Sequence, residues 1–325
     1  MSSTAAFRQG IYQFDWARRV VRWLDAMPNT ALAVEVAPDR VAAARWSRTG
    51  SLDGYAVESL PVGALAPSAV ESNIVNGAAV KAALTNVCNH LDSRDEDVAM
   101  ILPDTVIRVF VQHFEDFPRS AAEAVPMLRW KLKKSVPFEV DETLISYMRQ
   151  APRETGIDVV TALARLRIIR EYESLLEGIG LHPGVVLSSS LAAISLVEDE
   201  KPTLLARVSG STLTTAIVRR GVLCGYRCTE LPAHGVNLKP QMLLEEIFPV
   251  AAYYQDTWQE AIQSVRVAGL GTRLAEFVRP LEEEFHCDVR SLLHSAVSDG
   301  RIKEDARPLA ERDLEGLIGW MLQRG

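Results

Sequence analysis

Cysteine is scarce in this 325-residue chain, and the four present form no framework. Cys224 and Cys228 flank a short stretch of an expected strand, where residues i and i+4 point the same way. No second pair follows them at zinc spacing, and Cys88 and Cys287 stand alone. Reduced, mostly buried thiols are therefore expected. Histidine is equally thin: His90, His113, His182, His234, His286 and His294 show no metal-ligand spacing with acids or cysteines. The serines at 188–190 lack the Gly-x-Ser-x-Gly setting of a nucleophile and suit a helix cap instead. Positive charge is in deficit, 35 Lys and Arg against 42 Asp and Glu, and a net charge of −7 argues against a general nucleic-acid binder. Long apolar runs are missing as well. The longest, VVLSSSLAAISLV at 185–197, is too short and too hydroxyl-rich to span a bilayer. The start, MSSTAAFRQG, has no cationic stretch followed by an apolar one. The expectation is a soluble cytoplasmic protein, and the length favours two domains.

What is present is an alternation of strands and helices. Residues 11–27 place Trp16, Val20, Trp23, Leu24 and Met27 on one helical face, with a stop at Pro28–Asn29. Packing on its own domain is the simpler use for that helix, and a membrane surface or a partner the alternative. ALAVEVAPDRVAAARW at 31–46 predicts two short strands turning at Pro38–Asp39, with a third near 55–60. A helix at 77–92 and strands at 97–102 and 105–114 follow. A helix at 119–134, bent by Pro126, ends before Pro137–Phe138. WKLKK at 130–134 is most simply the solvated face of that helix. Strands are expected at 143–149 and 157–166, a helix at 168–178, a buried strand at 185–187 and a helix at 188–198. The second half opens with strands at 203–208 and 212–219 around Ser209–Gly210–Ser211, then a third at 222–230. A helix at 240–262 kinked by Pro249, a strand, glycine turn and helix over 264–285, and a closing helix at 309–324 complete the chain.

Residues 31–60 and 203–230 thus begin alike, each with a hairpin and a third strand. Such self-similarity suggests two related domains facing each other, with ligands where their loops meet. This is the plan of the actin-like, RNase H-like ATPases. Within it the chain resembles the PilM family of type IV pilus assembly, with the cytoplasmic domain of GspL as a relative, over roughly residues 29–325. LPDTVIRVFVQHF at 102–114, LRWKLKKSVPFEVDETLISY at 128–147 and GIDVVTALARLRIIREYESLLEGIGLHPGVVLSSSLAAISLV at 156–197 carry the resemblance, and LEGLIGWMLQRG resembles the family's closing small-residue helix. It implies an α/β actin-like two-domain fold with an inserted subdomain. Its parts would be an N-terminal extension (1–28), a first subdomain (29–98, completed by 184–200 and 307–325), an inserted partner-binding subdomain (99–183) and a second domain (201–306).

The resemblance also marks out a nucleotide site, and the residues there depart from it. The family's first hairpin reads Asp-Ile-Gly, three small hydroxylated residues, then Val-Lys. Here Glu35 keeps the acid, Ala37 replaces the glycine and Ala42 the lysine. Pro38 removes an amide that would face phosphate, and Asp39 adds a negative charge. Two like charges about 4 Å apart cost on the order of 1 kcal/mol in water and several at a partly buried site. In the second hairpin Arg207 stands where the family has an acid, and it has no lone pair to offer a metal. Ser209, Gly210, Ser211 and Thr212 form a turn that could hold an anion. Gly269 and Gly271 keep the later glycine turn. Only residues 231–263 lie where the family inserts a subdomain that walls the adenosine, so the second domain is expected to be reduced.

The resemblance therefore implies a degenerate member, a pseudo-ATPase with no catalytic residues, no cofactor and no metal. Its expected role is a cytoplasmic adaptor held at the inner membrane through its partners. The implied partner is the extended cytoplasmic tail of a PilN-like inner-membrane protein, lying between the first domain and the inserted subdomain. Arg129, Trp130, Lys133, Pro137 and Phe138 are candidates for that wall. An active actin-like ATPase is the alternative.

Overall fold

The computed structural model describes residues 30–47, 52–91, 97–197, 200–232, 234–302, 306–310 and 312–322. The helix expected at 11–27 lies outside them. The opening strands β1 (Leu32–Ala37), β2 (Arg40–Trp46) and β3 (Leu52–Ser59) form an antiparallel meander. Every residue of β1 is buried, which explains why LAVEVA does not alternate: it is the central strand of a sheet covered on both faces. Helix α1 (Gly77–His90) follows, its start capped by Asn76, whose side chain accepts from the Ala79 amide. Strand β4 (Asp97–Leu102) then pairs parallel with β1.

The chain next leaves the sheet. A one-turn 3-10 helix at Asp104–Val106 leads into β5 (Arg108–Phe114), α2 (Ala121–Leu132), β6 (Thr143–Pro152) and β7 (Ile157–Arg165). These strands form a separate antiparallel sheet in the order β5-β7-β6. Helix α2 covers one face through Ala124 and Leu128, which pack on Phe114, Phe117, Ile157 and Val159. Helix α3 (Leu166–Glu177) returns to pack on α1, and β8 (His182–Ser188) completes the first sheet in the order β3-β2-β1-β4-β8. The separate sheet and its helix thus span 108–165, inside the 99–183 expected.

The second half repeats the plan. After the short helix α4 (Ser189–Ile194) come β9 (Thr203–Ser209), β10 (Thr212–Arg219) and β11 (Val222–Glu230), then α5 (Pro240–Trp258), β12 (Ser264–Ala268), α6 (Leu274–Phe285) and β13 (Asp288–Ser291). The sheet order β11-β10-β9-β12-β13 mirrors the first. Between β11 and β12 the described residues hold one 3-10 turn and α5. Among the described residues three short helices follow, α7 (His294–Ser298), α8 (Arg307–Ala310) and α9 (Glu315–Leu322).

Helices α4 and α9 lie between the two sheets. One apolar core runs through them, joining Val34 and Ile101 of the first sheet to Leu205, Ala216 and Val218 of the second. A separate core sits under α5 and α6 on the outer face of the second sheet. Two glycines set the spacing of the central helices. A Cβ at Gly316 would lie 2.2 Å from Ser189 Oγ, and one at Gly319 would lie 2.3 Å from the Ala192 carbonyl oxygen. The small residues of the closing helix are there for contact.

Several boundaries differ from expectation. The closing helix is broken in two, with Asp313 at φ 55° between the pieces. The strand expected from 105 starts at Arg108, because Asp104–Val106 coil into a turn. The helix expected to reach 262 stops at Trp258, with Gln259 in the left-handed region. Helices α2 and α5 run on through Pro126 and Pro249, each giving up one backbone hydrogen bond there.

Candidate functional site

The two hairpins bring their expected site residues face to face. Glu35 on β1 and Arg207 on β9 are both buried, with Arg207 Nη2 3.5 Å from Glu35 Oε1. The same guanidinium lies 3.5 Å from Asp104 Oδ2 through Nη1 and 3.8 Å from Glu315 Oε2 through Nε. One buried arginine therefore stands among three buried carboxylates drawn from β1, the turn after β4 and the start of α9. Sequence reasoning missed Asp104 and Glu315 as site residues. Both sit inside segments that carry the resemblance, so the signal was an acid within an otherwise apolar or small-residue stretch.

The carboxylates are held by the central helices. Glu35 Oε1 accepts from Ser189 Oγ at 2.5 Å, and Oε2 accepts from the Leu317 amide at 3.1 Å. Asp104 accepts from the Ser190 amide at 2.8 Å, from Ser190 Oγ, from Thr214 Oγ1 at 2.8 Å and from Tyr226 OH at 3.4 Å. Free amides at helix starts are ready-made partners for an anion, and here side chains of the protein take them. Ser188 caps α4 by accepting from the Leu191 amide, as the serine run suggested, while Ser189 and Ser190 serve the cluster. Glu315 Oε1 accepts from the Gly269 amide at 3.2 Å.

Burial pulls the Arg207 guanidinium down, but Asp104, Glu35 and Glu315 more than offset it, so it stays firmly charged. The Glu315 carboxyl is raised as well, which in an acid favours the neutral form. Burial raises it first, Arg207 opposes that, and Asp313 adds to it. Asp313 is itself raised by burial, with Arg40 opposing.

The remaining positions close around this cluster. Ala37 is buried, Pro38 is half-buried, and Asp39 is exposed and pairs with its neighbour Arg40 at 3.3 Å. Ala42 pairs directly with Glu35 across the hairpin and is fully buried. Arg40 Nη2 donates to the Asp313 carbonyl at 3.0 Å, tying the first turn to the start of α9. The second turn is covered. The Gly235 amide donates to the Gly210 carbonyl at 2.8 Å, and the Leu231 amide donates to the Ser211 carbonyl at 2.7 Å. Arg273 fastens that link, donating to the carbonyls of Gly235, Val236 and Leu238 at 2.7–2.8 Å. Thr212 ends the turn, in register with Ser209. Gly269, at φ 77°, lies against β9 so closely that a Cβ would fall 1.8 Å from the Val208 carbonyl oxygen. Gly271, at φ 50°, adjoins the Asp313 carboxylate.

The space left between the hairpins is about 10 Å³, lined among others by Glu35, Pro38, Ser189 and Arg207. That is room for no more than one water molecule. These residues do not fit a metal–phosphate group. The position facing Glu35 already holds a cation, and the space between the hairpins has room for about one water molecule. Among the described residues no cluster of three His, Cys, Asp or Glu is arranged to hold a metal ion.

The positions expected at a partner surface divide. Arg129 is engaged internally, donating to the Val140 carbonyl and, at 2.9 Å, to the Thr143 carbonyl. It fastens the start of β6 and is not a free contact. Phe138 is half-buried, 6.0 Å from the Arg165 guanidinium. Trp130, Lys133 and Pro137 are exposed, and Trp130 keeps 80% of its surface. Within the described sheets the outer edge of β6 has no strand beside it. The half-buried thiols of Cys224 and Cys228 are both pushed up to about 12 by burial, so they are protonated at neutral pH.

No protein-family model and no curated protein matches the sequence. Solved structures do match. A chain of a PilM–PilN type IV pilus biogenesis complex aligns at a TM-score of 0.70 and 15% identity, covering 90% of this chain and 98% of that one. A protein of Bacteroides thetaiotaomicron with an actin-like ATPase fold aligns at 0.46 and 11% identity, covering 80% of this chain and 89% of that one. The cytoplasmic domain of EpsL, an inner membrane component of the type II secretion system of Vibrio cholerae, aligns at 0.46 and 12% identity, covering 73% and 81%. The last two are too loose to carry an argument. With its paired mixed sheets and inserted antiparallel sheet, the chain has the actin-like ATPase fold.

Proposed function

We propose that this chain is a cytoplasmic adaptor of a type IV pilus or type II secretion assembly and that it does not hydrolyse ATP. The observation that carries the assembly role is the likeness, over nearly its full length, to the PilM–PilN complex chain. The arginine among three carboxylates supports the loss of hydrolysis, since a charged guanidinium takes the place where a metal would be organised. Its partner is the cytoplasmic tail of a PilN-like inner-membrane protein, which places the adaptor at the inner membrane through its partner. No described helix is long and apolar enough to cross a membrane itself.

The open edge of β6 and the exposed Trp130 offer such a tail what an extended peptide needs. An unpaired strand edge supplies main-chain hydrogen bonds, and an exposed aromatic supplies an anchor. Calorimetry tests the reading. The tail peptide of a PilN-like protein is expected to bind saturably, and MgATP to release no heat. Saturable MgATP binding without peptide binding would reverse the assignment.

A further inference from the structure

We propose that Arg207 is a built-in counter-ion that ties the cleft shut, so the two halves keep one relative orientation with nothing bound between them. The arginine belongs to the second sheet. Its three carboxylate neighbours lie on the first sheet, on the turn leaving it and on α9, which packs on α4 and β1. Any rotation of the halves that opens the hairpins must separate the guanidinium from Glu35 and Asp104.

The rest of the interface has a different character. At its base the halves meet through Leu205, Ala216 and Val218, an apolar contact without preferred direction. At the cleft the contact is ionic: the guanidinium lies 3.5–3.8 Å from three carboxylates and donates one long hydrogen bond, from Nη2 to Glu35 Oε1 at 3.5 Å. Other directional ties lie nearby: Thr214 Oγ1 and Tyr226 OH of the second sheet donate to Asp104 at 2.8 and 3.4 Å. Gln150 of the inserted sheet donates to the Leu223 carbonyl at 2.7 Å and accepts from the Leu223 amide at 2.8 Å. An apolar base with polar ties at the mouth is the construction of a hinge that has been fastened. Two carboxylates facing each other across a cleft would need a cation from outside to close it. Here the cation is part of the chain.

The test uses the full chain. Arg207→Met keeps the bulk and removes the charge. Its radius of gyration by X-ray scattering is expected to rise above that of the unaltered protein, with the far-UV dichroism retained. The midpoint of thermal unfolding is expected to fall by roughly 10 °C. An unchanged radius and midpoint would overturn the proposal. Should that variant not fold, Glu35→Gln and Asp104→Asn keep the shape of the site and weaken the tie from the other side. Each is then expected to raise the radius and lower the midpoint, and no change in either would equally overturn it. The readout involves no partner, so its failure is separate from failure of the tail-binding reading.

Discussion

The two hairpins are one device built twice with opposite charge. In each, a two-residue turn joins antiparallel strands, and the charged residue lies two positions before the end of the first strand. Glu35 stands opposite Ala42, and Arg207 stands opposite Thr214. Had both hairpins kept an acid, the site would carry like charges facing across a gap and would need an external cation. With an acid on one hairpin and an arginine on the other, the pair neutralises itself, and the space between them is about 10 Å³. A buried charge is tolerable only when paired and hydrogen-bonded, and here the pairing comes from the opposite domain.

The most forceful way to break this comparison is to make the hairpins alike again. Arg207→Asp would leave four carboxylates together with no internal cation. Removing one partner of a buried ion pair costs about 3–5 kcal/mol, and adding a like charge costs more. The variant is expected to unfold far below the unaltered chain. Millimolar Mg²⁺ or Ca²⁺ should raise its melting midpoint and leave that of the unaltered chain where it was. A variant as stable as its parent, with no response to cations, would show that the charges at the two hairpins are not coupled.

The glycines sharpen the comparison next. Gly269→Ala puts a methyl 1.8 Å from the Val208 carbonyl oxygen at φ 77°, whereas Gly210→Ala, at φ 59°, meets only the far end of His234 at 3.7 Å. The first should cost about 3 kcal/mol or more, because backbone must move. The second should cost about 1 kcal/mol, the ordinary strain of a left-handed alanine. Denaturant unfolding of the two variants distinguishes them. Equal costs would mean that Gly269 is kept for something other than its contact with β9.

A smaller effect concerns pH. The Glu315 carboxyl is raised above its ordinary value of 4.5, by burial first and by Asp313, with Arg207 opposing. A raised acid holds its proton longer in the folded state. The stability this lends is complete below the ordinary value and is lost as pH rises through the folded value. Glu315→Gln is neutral at every pH, so its melting midpoint should fall less between pH 5 and pH 8 than that of the unaltered chain. A steeper fall in the variant would show that the negative charge of Glu315 is needed by Arg207.

Much of this architecture was legible in the sequence, for physical reasons that differ by region. Both hairpins could be read because continuous apolar runs broken by a two-residue polar turn have few alternatives. The strands at 212–219 and 222–230 fall where they were expected. The break at Asp313 could not be read, because the residues around it are good helix formers and the break serves a tertiary contact with Arg40. Arg129 was expected at a partner surface because the resemblance places its segment in the wall of the partner groove. Its acceptors are backbone carbonyls of Val140 and Thr143, which leave no trace in side-chain pattern. The site was legible in half. Glu35 stands out as the acid kept in a repeated motif and Arg207 as its departure, but Asp104 and Glu315 are joined to them only by the fold.

The mildest change separates the cleft from the outer surface. Trp130 is 80% exposed, and its indole contributes little to the core beneath α2, which rests on Leu128 and Ala124. Trp130→Ala should therefore leave the unfolding free energy within about 0.5 kcal/mol of its starting value. If the inserted subdomain receives an extended tail along β6, the same substitution should weaken tail binding about tenfold or more, as loss of an aromatic anchor does. Arg207→Lys probes the other region, and it should lower stability more than it lowers tail affinity. Should Trp130→Ala leave the affinity untouched while Arg207→Lys reduces it, the cleft and not the inserted subdomain would be the surface the partner reads. The division of labour between the two regions would then be reversed.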